Sequence, residues 1–212
     1  MKKSLLIFVL ILLVLAIAGG TFWYLKTQSN TAGNNNLAGV NDNRAVGGNN
    51  LNQNLEPSGE NVFANDNFSL TYPAGWRSVP AMTGVSAMIV RGNENIADPE
   101  AKKMNFQSYL AVSYDSAEGK TKDEVIEYLK NALRSAIPEA IFSRENSLTI
   151  NQRDADAMEM TVRQSGIDFH VLMVAVWGNE NDLWILSYNT LDSLWQGYTS
   201  DFEKMTQSFI VK

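Results

Sequence analysis

Along residues 62–212 the apolar positions change period several times, and each change marks an element. Phe68, Leu70 and Tyr72 alternate with Ser69 and Thr71, which predicts a strand with one buried face that ends at the turn Pro73-Ala74-Gly75. Trp76 follows at once and is expected to fold its indole over the ends of the first strands as a lid. The runs SAMIVRG (86–92) and QSYLAVSYD (107–115) predict two more strands, separated by a charged excursion, NENIADPEAKKMNF. The period then lengthens. Thr121-x-x-Glu124 has the spacing of a capping box, and Val125, Leu129, Ala132, Leu133 and Ala136 fall at helical intervals until Pro138 stops the segment.

Four strand-like runs come next: 140–150, 156–164, 167–178 and 183–190. Their connectors are short, so neighbours are predicted to be antiparallel hairpins. In the third run both alternating sets are apolar, Phe169, Val171, Met173, Ala175 and Trp177 against Leu172, Val174 and Val176, which predicts a central strand covered on two sides. The second cover is a helix in which Ser193-x-x-Gln196 offers another capping box and Trp195, Tyr198, Phe202, Met205 and Phe209 form one stripe. The architecture expected is α+β: a twisted antiparallel sheet of about six or seven strands with helices on its faces.

Upstream the pattern is different. Residues 5–25 carry no charge and only Gly19, Gly20 and Thr21 interrupt an apolar run; as a helix this run spans about 31 Å, the thickness of a bilayer core. Lys2 and Lys3 precede it and Phe22, Trp23 and Tyr24 close it, so residues 1–26 are read as a transmembrane anchor with its N-terminus in the cytoplasm. A cleaved signal peptide is the alternative, since Ala16-Ile17-Ala18 before Gly19 resembles a cleavage site. Either way the rest of the chain is expected outside the cell membrane. Residues 27–61 hold 11 Asn and 5 Gly and cannot bury enough apolar area to offset their ordering entropy, so they are read as a flexible spacer of roughly 30–35 Å reach.

Charge and residue types then narrow the chemistry. From Val62 onward there are 13 Lys plus Arg against 20 Asp plus Glu, with no basic cluster richer than Lys102-Lys103, so nucleic acid is not an expected partner. Cysteine is absent, which excludes disulfides, thiolate metal sites and a lipid-accepting cysteine. No Gly-x-Ser-x-Gly elbow, His-Glu-x-x-His pair or phosphate loop occurs. His170 is the sole histidine and shares a strand face with Asp168, a pair able in principle to move a proton, though a rim hydrogen-bonding role is the expected one. Glu94, Asp98 and Glu100, Asp154 with Asp156, and the stretch Asn179–Asp182 are oxygen-rich, yet none has the spacing of a calcium loop and all are read as solvated loop ends. Trp177 and Trp184 flank the GNEND hairpin and, with Trp76, are candidates to line a ligand slot or docking patch; core packing is the competing expectation.

Several stretches also resemble a known family. FSLTYPAGW (68–76) resembles the opening signature of the PsbP family, the extrinsic photosystem II subunit and its bacterial relatives. SLTINQRDADAMEMTV (147–162) resembles that family's hairpin, with Gln152 where such corners often carry Gly, and FEKMTQSFIV (202–211) is similar to its terminal helix. The resemblance covers residues 62–212 and implies a PsbP-like α/β/α sandwich that works by binding rather than catalysis, without implying photosynthesis. The expectation is therefore a membrane-tethered extracytoplasmic binding or assembly module without enzymatic activity or cofactor, whose partner is an envelope or membrane protein. The alternative is a receptor holding a small or metal-containing ligand in a slot between sheet and helix. On either reading, Trp76, Trp177, Trp184 and His170 are the candidate binding residues.

Overall fold

A computed structural model describes residues 60–212; the predicted anchor, and the predicted spacer up to residue 59, lie outside the described residues. Among the described residues ten strands make two sheets, accompanied by three α-helices. The larger has seven antiparallel strands in the order β3-β4-β5-β9-β8-β7-β6. These are β3 (Trp76–Val79), β4 (Ala87–Arg91), β5 (Tyr109–Ser116), β6 (Ile141–Ile150), β7 (Arg153–Gln164), β8 (Ile167–Trp177) and β9 (Asp182–Leu191). Helix α2 (Lys122–Ala136) covers one face and α3 (Trp195–Gln207) the other.

The alternation of β8 sets the two cores. Phe169, Val171, Met173 and Ala175 pack with Val125, Leu129 and Leu133 of α2, while Val174 and Val176 pack with Trp195, Phe202 and Met205 of α3. A strand between two covers needs both apolar sets, as expected. The α2 capping box is formed: the Thr121 hydroxyl accepts from the Glu124 amide, and the Glu124 carboxylate accepts from the Thr121 amide. That satisfies two amides the helix itself leaves unpaired.

Four expectations are corrected. The strand 68–72 is not in the large sheet: β2 (Phe68–Tyr72) lies between β1 (Asn61–Ala64) and β10 (Ile210–Val211) in a separate three-stranded sheet. This small sheet turns Phe68, Leu70 and Tyr72 onto the α3-side core, beside Phe209, which follows the helix. Trp76 is no lid on strand ends; it opens β3 and is buried beneath Phe202 and Tyr198 of α3. Ser193 and Gln196 make no capping box, because Asp192–Leu194 winds a 3₁₀ turn straight out of β9 and Trp195 is already the first residue of α3. The charged excursion contains a short helix, α1 (Pro99–Lys103), capped by Asp98, whose carboxylate accepts from the Glu100 and Ala101 amides.

The β6–β7 corner has Asn151 and Gln152 at φ 46° and 67°, both left-handed, so the two-residue turn is of type I′ with glutamine where glycine is less strained. Among the described residues no helix is long and apolar enough to cross a membrane.

Candidate functional site

Strand parity decides how the candidate residues relate. Trp184 pairs with Val176 and Trp177 with Leu183. Trp177 therefore sits on the α2 face with Leu183, and Trp184 on the α3 face with Val176. The two tryptophans cannot line one slot. Trp184 is buried among Phe68, Phe209 and Tyr114. Trp76, on the same face, donates its indole N–H to Asp201 Oδ2 at 2.7 Å and packs edge-on to Phe202. Both serve the core.

His170 is buried and lies flat on Trp195, ring centroids 3.8 Å apart. Its Nδ1 is 3.0 Å from Asp192 Oδ1, and its Nε2 is 3.6 Å from Glu159 Oε2. Asp168 faces a different partner, the Arg163 guanidinium opposite it on β7. His170 and Asp168 thus form no couple, and one imidazole instead ties the sheet to the turn that launches α3.

Among the described residues, Trp177 borders a cleft. This cleft of about 440 Å³ is lined by Trp177, Thr121, Lys122, Gln152, Arg153 and Asn181, among others. A hollow of about 350 Å³ beside it shares Lys122 and Asp154 with the cleft, and Ser147 and Asp156 with a third hollow of about 360 Å³, so a groove follows the flank of α2 along β6 and β7. Asp156 is its hub, accepting from the Trp177 indole at 2.9 Å and from the Ser147 hydroxyl at 2.7 Å. Lys122 pairs with Asp154 and reaches over the Trp177 ring. At the far end Lys130, mostly buried, is held between Glu127 and Glu145 at 2.7 and 3.1 Å, and these two carboxylates raise its pKa.

The oxygen-rich loops are largely spoken for. Glu94 is half-buried and accepts from both the amide and the hydroxyl of Ser108, and the Tyr198 hydroxyl also bonds to it. Burial, with Glu94 beside it, pushes the Tyr198 pKa up to about 12. Asn181 accepts from the Gly119 amide, and Asp182 accepts from the Tyr114 hydroxyl. Among the described residues no group of three or more His, Asp or Glu is placed to hold a metal ion. The partners that sequence reasoning missed around His170, Asp192, Glu159 and Trp195, come from the 3₁₀ turn, β7 and the start of α3, beyond the reach of local spacing.

A family model, PsbP, matches residues 58–211. The chain belongs to the PsbP family. Two solved structures show how PsbP architecture is shared. The cyanobacterial PsbP (CyanoP) of Synechocystis sp. PCC 6803 superposes with a TM-score of 0.52 at 14% identity, covering 76% of this chain and 96% of that one. LpqN of Mycobacterium tuberculosis, described as involved in cell envelope biogenesis, gives 0.54 at 15% identity, covering 74% and 86%. At such identities the likeness is one of PsbP fold. No curated protein matches the sequence.

Proposed function

We propose that this PsbP-family domain is a non-catalytic binding module, tethered outside the cell membrane by residues 5–25 and docking an envelope or membrane protein. The observation that carries it is the groove beside α2, where Trp177, Lys122, Arg153 and Asn181 border open space. Two features support the tether: the uncharged apolar run of residues 5–25 with its lysine and aromatic flanks, and the Asn-rich stretch before β1. A tether of that reach raises the local concentration of the domain near a membrane partner without new contacts. The PsbP-fold protein LpqN, described in terms of envelope biogenesis, lends the setting.

The test is site-specific photo-crosslinking in intact cells from Asn181, in the cleft, and from Glu203, on the exposed side of α3. One defined envelope or membrane protein captured from Asn181 and not from Glu203 is the expected result; no adduct from Asn181, or identical adducts from both, overturns the reading. A small-ligand receptor is the second reading, favoured by the cleft volume of about 440 Å³, within the range of ligand sites. It requires a ligand that changes Trp177 fluorescence and that Trp177→Ala no longer binds.

A further inference from the structure

Of the strands that rim the two sheets, β6 has ten residues, whereas β1, β3 and β10 have four, four and two. Which of its backbone groups face outward follows from the hairpin. The type I′ turn at Asn151–Gln152 makes Ile150 and Arg153 the closing pair that exchanges both ladder hydrogen bonds. Antiparallel alternation then turns the N–H and C=O of Thr149, Ser147 and Glu145 away from β7. No described residue bonds to these groups. Ser143 forms a bulge, since the register shifts between Phe142 and Arg144, so the continuous open ladder is the stretch 144–150.

The flank of this edge has a definite charge. Glu145, Ser147 and Thr149 share the α2 face with Met158, Asp156 and Asp154, their partners on β7. Across the groove stand Asp123, Ile126 and Glu127 of α2. The lysines already there are engaged, Lys122 by Asp154 and Lys130 by Glu127 and Glu145. A strand with acidic side chains on this face would meet like charge; one with Lys or Arg at alternate positions complements it.

We infer that β6 accepts an extended segment of a partner protein as an eighth strand, with basic side chains along the α2 face. The inference rests on the binding-module reading and specifies its partner. A second copy of this chain fits less well. A two-fold pairing of β6 with itself keeps each face of the sheet on the same side, so the acidic flank adjoins its own copy, and a register centred on Glu145 or on Arg144 sets like charges opposite. An open ladder supplies main-chain hydrogen bonds to an added strand, and alternate side chains supply the selectivity.

The probes are two short synthetic peptides, one alternating Lys and Val and one alternating Glu and Val, added to the full-length chain in zwitterionic detergent. The Lys–Val peptide is expected to slow hydrogen exchange at the Glu145, Ser147 and Thr149 amides about tenfold or more, and the Glu–Val peptide to bind at least about tenfold more weakly. Thr149→Pro removes one outward N–H and leaves the inner ladder in place, and it should weaken Lys–Val binding by a similar factor. Exchange on the unmodified chain carries the test if that variant does not fold. Four results overturn the inference: protection only elsewhere, equal binding of both peptides, self-association that protects the same amides without peptide, or amides already protected in the free chain. Capture of a partner from Asn181 with the β6 amides unprotected by peptide sinks this inference and leaves the binding-module reading standing.

Discussion

His170 lies flat against Trp195 with their planes 9° apart, while its two ring nitrogens face Asp192 and Glu159. The pair joins β8 to the first turn of α3, so its worth is read in stability. Trp195→Ala removes a buried indole from the α3-side core and is expected to cost about 3–5 kcal/mol. His170→Gln keeps part of the hydrogen bonding but loses the stacked ring, at about 1–2 kcal/mol. Asp168→Asn, at an exposed residue, should stay within about 0.5 kcal/mol. Urea unfolding of the three variants decides; a loss for Asp168→Asn equal to that for His170→Gln would point to a His170–Asp168 pair instead.

Lys130 fastens the edge strand β6 to α2. Lys130→Met keeps most of the buried stem and removes the charge between Glu127 and Glu145, and about 1 kcal/mol should be lost, because both carboxylates remain well hydrated. The sign with pH is set by the raised Lys130 pKa. Its contribution is complete below the ordinary lysine value of 10.5 and is lost as pH rises through the higher folded value. Between pH 6 and 10 the difference between wild type and Lys130→Met should be constant, and above that range it should shrink.

The first turn of α2 responds at the opposite end of the scale. Hydrogen bonds from the Thr121 amide and hydroxyl lower the Glu124 pKa. The capping box therefore contributes fully above the ordinary value of 4.5 and is lost as pH falls through the lower folded value. Hydrogen exchange in the first turn of α2 should accelerate there relative to its last turn, and Glu124→Gln should abolish the contrast.

How far these elements were legible depends on the range of the interactions that make them. The α2 capping box and the two-sided pattern of β8 are local signals, readable from spacing alone, and both are present. The short helix α1 was also signalled, by Asp98 before Pro99, a cap followed by a residue suited to the first turn; the surrounding charges masked it. The assignment of β2 failed because alternation tells which face is buried and not which strand lies alongside. Its neighbour β10 comes some 140 positions later, pairing Ser69 with Ile210. The same limit hid the surroundings of His170. Period two put Asp168 on its face, but the 3₁₀ turn and β7 brought Asp192 and Glu159 to it. For the tryptophans, proximity to one hairpin suggested a shared slot, whereas β8–β9 register sends Trp177 and Trp184 to opposite faces.

Alkali should reveal Tyr198. Its phenol is held protonated by burial and by Glu94, with a pKa of about 12, against an ordinary value of 10.0. Between these values the unfolded chain releases a proton that the folded chain keeps, so stability falls as pH rises from about 10 to about 12. Tyr198→Phe should be less stable at neutral pH, having lost the Glu94 bond, and should show a shallower alkaline decline. Absorbance titration of phenolate in the two proteins checks the assignment.

Gly178 closes the β8–β9 hairpin where the chain leaves no room for a side chain. A Cβ there would stand 2.5 Å from the Asp182 Cβ and 3.4 Å from the Asp182 carbonyl oxygen, in a turn fastened by the Gly178 amide bonding to Asp182 and the Asp182 amide bonding to Asn179. Gly178→Ala should therefore cost about 1–3 kcal/mol and displace Asn181 from the cleft. A drop in the urea midpoint, with weaker crosslinking from Asn181, is the expected pair of results.

The placement of β2 between β1 and β10 also imposes an order in time. A chain emerging residue by residue can form the β1–β2 hairpin early, but β2 keeps one bare margin until residues 210 and 211 have been made. Phe68 and Leu70 on that strand remain without their partners Phe202 and Phe209 for as long. Synthesis of this domain thus yields a half-built layer whose last seam is sewn only when residues 210 and 211 are in place, and anything that binds aggregation-prone strands would meet it before then.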